Sequence, residues 1–139
     1  MKKLNFILIL SCFFFVGKVF SQDHSEKIDA LAEQLKFKSS ISLELKKESV
    51  DVLDTIANIL KTTSYTYNIE SHSGMRGKSS DNLIKTQKRA IIIKKALVKR
   101  GINPSRLNTV GFGETSPKTS MPNTRGRSWN ERIELIKKE

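Results

Sequence analysis

Between Val50 and Phe112 the apolar residues change period three times, and that alternation constrains the fold more than any other feature of the chain. Val50, Leu53, Ile56, Ala57 and Leu60 recur at helical spacing, entered near Lys47-Glu48-Ser49 and ended by Thr62-Thr63-Ser64. Tyr65, Tyr67 and Ile69 then alternate with Thr66, Asn68 and Glu70, the period of a strand with one buried face. From Ser80 to Arg100 the period is helical again, with Ala90, Ile93 and Leu97 on one face and Gly101 as the stop. Leu107 to Phe112 reads as a further strand. Helices that connect strands must pack on the sheet those strands form. Upstream, Ser25 with Ile28, Leu31 and Leu35 predicts a short helix, and Leu35-Lys36-Phe37-Lys38 a first strand, with 39–45 as the crossover. Downstream, a polar loop leads to Trp129-Asn130, and Ile133 with Leu135 points a last strand inward. The expected class is α+β: a two-layer β-α-β-α-β-β sandwich with helices on one face of a mixed sheet.

The N-terminus bears on compartment. Met1-Lys2-Lys3 is positive, Leu4 to Phe20 is mostly apolar, and Val19-Phe20-Ser21 suits a signal peptidase. The expected organisation is a signal peptide over 1–21, a lead-in helix over 22–34 and the main domain over 35–139. As a membrane anchor the apolar run is broken by Ser11, Gly17 and Lys18 and falls short of the roughly 20 residues a span needs. Lipidation at Cys12 is the alternative to cleavage after Ser21, but the apolar stretch continues beyond that cysteine. Cleavage after Ser21 leaves no cysteine, hence no disulfide and no thiol chemistry.

The formal charge is +11, and removing the signal leaves 22 basic against 14 acidic side chains. In the cytosol that balance would point to nucleic acid. An exported chain meets lipid headgroups, lipopolysaccharide phosphates and cell-wall carboxylates instead, so no nucleic-acid partner is expected. Lys46-Lys47, Lys94-Lys95 and Lys137-Lys138 are equally readable as solvated faces. His24 and His72 are far apart in sequence, and no nucleophile motif or metal-spaced cluster appears, so neither catalysis nor a metal or other cofactor is expected.

The loop after the Tyr65–Ile69 strand, Ser71-His72-Ser73-Gly74, precedes a helix carrying Asn82, Lys85-Thr86 and Arg89-Ala90 with Ile93 and Leu97. Then come Gly101-Ile102, Arg106-Leu107, Gly111-Phe112-Gly113-Glu114, Pro117, Gly126-Arg127 and Asn130-Glu131-Arg132-Ile133-Glu134. This ordered combination resembles the OmpA-like peptidoglycan-binding domains, which carry Gly-His-Thr-Asp, Asn-x-x-Leu-Ser, Arg-Ala, Gly-Tyr-Gly-Glu and Asn-Arg-Arg-Val-Glu in the same order. The likeness covers roughly residue 35 to the C-terminus.

The resemblance implies a non-catalytic protein of a Gram-negative type envelope, in the periplasm and associated with the outer membrane, without a transmembrane segment in the mature chain. The implied ligand is the diaminopimelate of the peptidoglycan stem peptide, a side chain with a carboxylate and an ammonium. Arg89 matches the arginine that forks onto the carboxylate, a geometry lysine cannot copy. Asn82 matches a polar contact, His72 the loop histidine, and Ser73 and Arg76 fall in the ligand loop. Gly74 stands where the family's aspartate takes the ammonium. Losing that charge-assisted bond, about 1.5–3 kcal/mol, should weaken binding on the order of 10- to 150-fold. Glu70 and Asp81 are the nearby acids, with Glu70 expected to face solvent. Lys85, Thr86 and Glu131 are further departures, replacing a leucine, a serine and an arginine. Trp129 reads as a packing residue. The competing expectation is a domain that keeps the fold but has lost the wall ligand, serving as a module for envelope protein partners or an anionic surface, since Arg76 and Lys78 make the loop more cationic.

Overall fold

The computed structural model describes residues 24–138; the expected signal peptide and Cys12 lie outside them. Four α-helices and three strands follow in the order α1 (Ser25–Ala32), α2 (Glu48–Lys61), β1 (Tyr67–His72), α3 (Ser79–Lys99), β2 (Leu107–Gly113), α4 (Thr124–Asn130) and β3 (Ile133–Lys137), with a 3-10 turn at Pro104–Arg106 before β2. The sheet is mixed and ordered β2-β1-β3. Central β1 runs parallel to β2, to which α3 returns the chain, and antiparallel to β3. The expected α+β architecture holds.

The period-two alternation of β1 sorts its side chains. Tyr67, Ile69 and Ser71 are buried toward the helices, joined by Leu107 of β2 and by Ile133 and Leu135 of β3. Against them pack Leu53, Ile56, Ala57 and Leu60 of α2 and Ala90, Ile93 and Leu97 of α3. Gly111 lets α3 lie directly on β2: a Cβ there would sit 2.3 Å from the Gln87 nitrogen. The lead-in helix is part of this core, because Ile28 and Ala32 of α1 are fully buried in it. Asp29 of α1 also accepts a bond from the Leu135 nitrogen on the edge of β3, so that edge is covered.

The structure departs from the sequence expectations at four places. The strand expected over Leu35–Lys38 does not join the sheet; it makes one antiparallel bridge, Phe37 to Leu45, within its own hairpin. Its buried residues Leu35 and Phe37 are held by Ser49, whose hydroxyl accepts from the Lys36 nitrogen and donates to the Lys36 carbonyl. The loop before β3 contains α4, started by Asn123, whose side chain accepts from the Gly126 nitrogen at 2.9 Å. Gly126 disguises that helix, since glycine is a poor helix former. It is required because Met121 O lies 2.1 Å from where a Cβ would stand. Trp129, on α4, is half exposed rather than packed, and Val50 on α2 also faces outward.

Candidate ligand-binding site

The loop between β1 and α3 is fixed by backbone bonds where it leaves β1. The His72 nitrogen donates to Arg132 O, and the Ser73 nitrogen to Gly113 O. Asn82, buried at the start of α3, donates through Nδ2 to Arg76 O at 2.8 Å and to Glu114 Oε2 at 2.7 Å. Its Oδ1 accepts from Lys85 Nζ at 3.1 Å. Both amide hydrogens and one lone pair of Asn82 are spent on tying loop, helix and the end of β2 together. Thr86 extends that framework, with its hydroxyl accepting from the Gly113 nitrogen and donating to carbonyls of its own helix.

Beyond this framework lies a cavity of about 300 Å³, bounded by the Leu35–Ser40 segment, the β1–α3 loop, α3 and α4. Of the residues singled out in the sequence, His72, Gly74, Arg76 and Arg89 line it, whereas Ser73 and Asn82 are buried beside it. Arg89 is only 2% exposed. Its Nε and Nη2 donate to Ser42 O at 3.1 and 2.8 Å, and Nη2 also to Ser39 O at 2.8 Å. Its guanidinium carbon stands 4.3 Å from the centre of the Phe37 ring. The short hairpin that fails to become a strand thus acts as the cradle of Arg89.

The remaining donor direction of Arg89 is taken by a side chain. Nη1 donates to Glu131 Oε1 at 2.7 Å. Glu131 is the one acidic residue lining the cavity, against eight basic ones: Lys36, Lys38, Lys46, Arg76, Lys85, Arg89, Arg127 and Arg132. Burial, and then the Arg89 charge, hold the Lys85 ammonium below its ordinary pKa. Burial likewise lowers Lys36.

Gly74 has a steric reason as well as a chemical consequence. A Cβ there would approach Arg127 O to 3.2 Å and Arg127 Cα to 3.3 Å, so α4 closes over the loop where an aspartate would otherwise project. Glu70 does not compensate; it belongs to the opposite face of the sheet. The acid that does enter the cavity is Glu131. Its departure from the family pattern is visible in the sequence, but its contact with Arg89 spans 42 residues and depends on α4, which the polar loop concealed.

Two-layer architecture, a cavity-lining loop between β1 and α3, and a buried arginine on that helix define the class. The chain belongs to the OmpA family, whose model matches residues 37–131. It is similar to the peptidoglycan-associated lipoprotein of Pseudomonas aeruginosa, at 30% identity over 96 residues, covering 69% of this chain and 57% of the relative. This chain therefore spans a little over half the length of that relative. In fold it is similar to the peptidoglycan-associated lipoprotein of Burkholderia pseudomallei, with a TM-score of 0.66 at 24% identity over 74% of this chain and 86% of the other. The C-terminal domain of Helicobacter pylori MotB gives a TM-score of 0.69 at 20% identity, covering 74% and 81%. Among the described residues no helix is long and apolar enough to cross a membrane.

Proposed function

We infer that this is a non-catalytic, exported envelope protein that binds peptidoglycan non-covalently, with Arg89 taking the diaminopimelate carboxylate of a stem peptide. The observation that carries the reading is the Arg89–Glu131 contact at 2.7 Å, because a carboxylate already occupies the one side of the guanidinium not committed to backbone carbonyls. Relatives named for association with peptidoglycan support the ligand class. Binding requires Glu131 to swing away, which is feasible for a side chain 29% exposed and not for the carbonyls of Ser39 and Ser42. That displacement and the missing acid at Gly74 both lower affinity, so the interaction is weak. His72, Ser73, Gly74 and Arg76 shape the loop, and Asn82 positions it.

The excess of basic side chains in the cavity favours a second reading, in which the fold serves an anionic surface or an envelope protein partner without reading the stem peptide. Titration with two stem peptides separates the two. A peptide containing diaminopimelate should bind more tightly than one carrying lysine there, since only the former has the side-chain carboxylate. Equal affinity for both, lost on adding salt, would support the second reading.

A further inference from the structure

The face of the sheet turned away from the helices carries a cluster that meets the ligand cavity only through His72 and Arg132. Glu70 and His72 are two residues apart on β1 and so point to the same side. Glu134 of β3 lies directly opposite Glu70 in the antiparallel register. Two carboxylates facing each other across a strand pair oppose folding, and burial together with Glu134 holds the Glu70 carboxyl above its usual range. Arg132 relieves only part of this: its Nε donates to Glu134 Oε1 at 2.6 Å, leaving Oε2 turned to the histidine. Asp29 of α1 adds negative charge nearby.

His72 is the second, independent observation. Its side chain is 3% exposed, yet neither ring nitrogen completes a hydrogen bond. The ring is held by a parallel stack on Phe112, with centroids 4.9 Å apart. From that position Nε2 stands 3.4 Å from Glu134 Oε2 and 3.9 Å from Glu70 Oε2. Hydrogen bonds would close to about 2.7–3.2 Å. Donors on a tetrahedral ion, each about 2.0–2.2 Å from it, stand about 3.3–3.6 Å apart. The three donor atoms all lie within 4.8 Å of one another.

We propose that Glu70, His72 and Glu134 form a binding site for a divalent transition-metal ion such as zinc, with Arg132 orienting Glu134 and a coordination position left open to solvent. One imidazole and two carboxylates are a donor set zinc accepts, and a bonded partner on the far oxygen of a ligating carboxylate is the usual outer support. Both carboxylates are partly exposed, so an ion has a path in. The ion would tie the start of the ligand loop to β3. Sequence spacing hides the site because Glu134 arrives on the last strand.

Calorimetric titration of the purified protein with zinc chloride, repeated with cobalt(II) for its visible absorption, tests this. One equivalent of zinc should bind at micromolar or tighter affinity, and cobalt should show bands of four- or five-coordinate geometry. Glu70→Gln should weaken binding at least 10-fold while leaving the fold intact, and His72→Ala should abolish it. Glu70→Gln should also raise the melting temperature of the metal-free protein and remove the further rise that zinc gives the parent. Absence of zinc binding, or binding unchanged in Glu70→Gln, would overturn the site and show that the three groups share protons only. Neither readout involves peptidoglycan, so the wall-binding reading stands or falls separately.

Discussion

At the scale of single residues, the chemistry of the cavity turns on Lys85, Gly74 and Glu131. Lys85 stands where the family carries leucine, and burial with the Arg89 charge lowers its pKa in the folded state. The unfolded chain therefore binds that proton more tightly, so a charged Lys85 costs stability at neutral pH. The cost is lifted as pH rises through the folded pKa toward 10.5. Lys85→Leu should accordingly raise the melting temperature at pH 7, with the gain shrinking as pH rises toward 10.5, and should weaken anion binding; thermal unfolding across that range checks it. For Gly74→Asp, the restored carboxylate should strengthen diaminopimelate binding. The 3.2–3.3 Å approach of Arg127 to its Cβ should cost about 1–3 kcal/mol of stability. Peptide titration together with denaturant unfolding of that variant reads both effects. Gly74 and Arg89, which line the cavity, were both singled out in the sequence. The Arg89–Glu131 contact was not, because only α4 and the end of β3 bring residue 131 back over α3.

Among the elements, the central ones were legible and the peripheral ones were not, for a physical reason. The apolar period of α2, β1 and α3 is clear because each buries a full face. The Leu35–Lys38 segment has only two buried side chains and satisfies its backbone in a hairpin, where Lys46 N donates to Lys36 O and Lys38 N to Glu44 O. Lys38 and Glu44 also form an ion pair across that hairpin. A two-residue alternation cannot distinguish that arrangement from a sheet strand. The seven-residue α4 buries only Gly126 and Asn130, so it has no apolar stripe to read. Its anchor is polar: Asn130 exchanges two hydrogen bonds with the Thr119 backbone. The contact between α3 and β2 is the most demanding joint in the sheet. Gly111→Ala would drive a methyl to 2.3 Å from the Gln87 nitrogen and 2.7 Å from its Cα. It is expected to cost about 3 kcal/mol or more, measured as a lower denaturation midpoint with an unchanged slope.

On the scale of the whole molecule, charge and architecture act together. The basic excess visible in the sequence is focused in one cavity at the loop end of the sheet, while the opposite sheet face carries the Glu70–Glu134 pair. The helix α1, outside the family-matched region, completes the core and covers β3. A general attraction to anionic surfaces and a specific hold on the wall are both compatible with such a distribution, and they differ in whether Arg89 and Glu131 decide the outcome. The most direct test is co-sedimentation with purified peptidoglycan sacculi at two salt concentrations, comparing the parent with Arg89→Lys and Glu131→Gln. Removing the internal competitor should raise affinity on the order of 10-fold. The expected result is weak pelleting of the parent, stronger and salt-resistant pelleting of Glu131→Gln, and loss with Arg89→Lys. No pelleting of any variant, or pelleting that salt abolishes equally in all three, would contradict a carboxylate-reading site at Arg89.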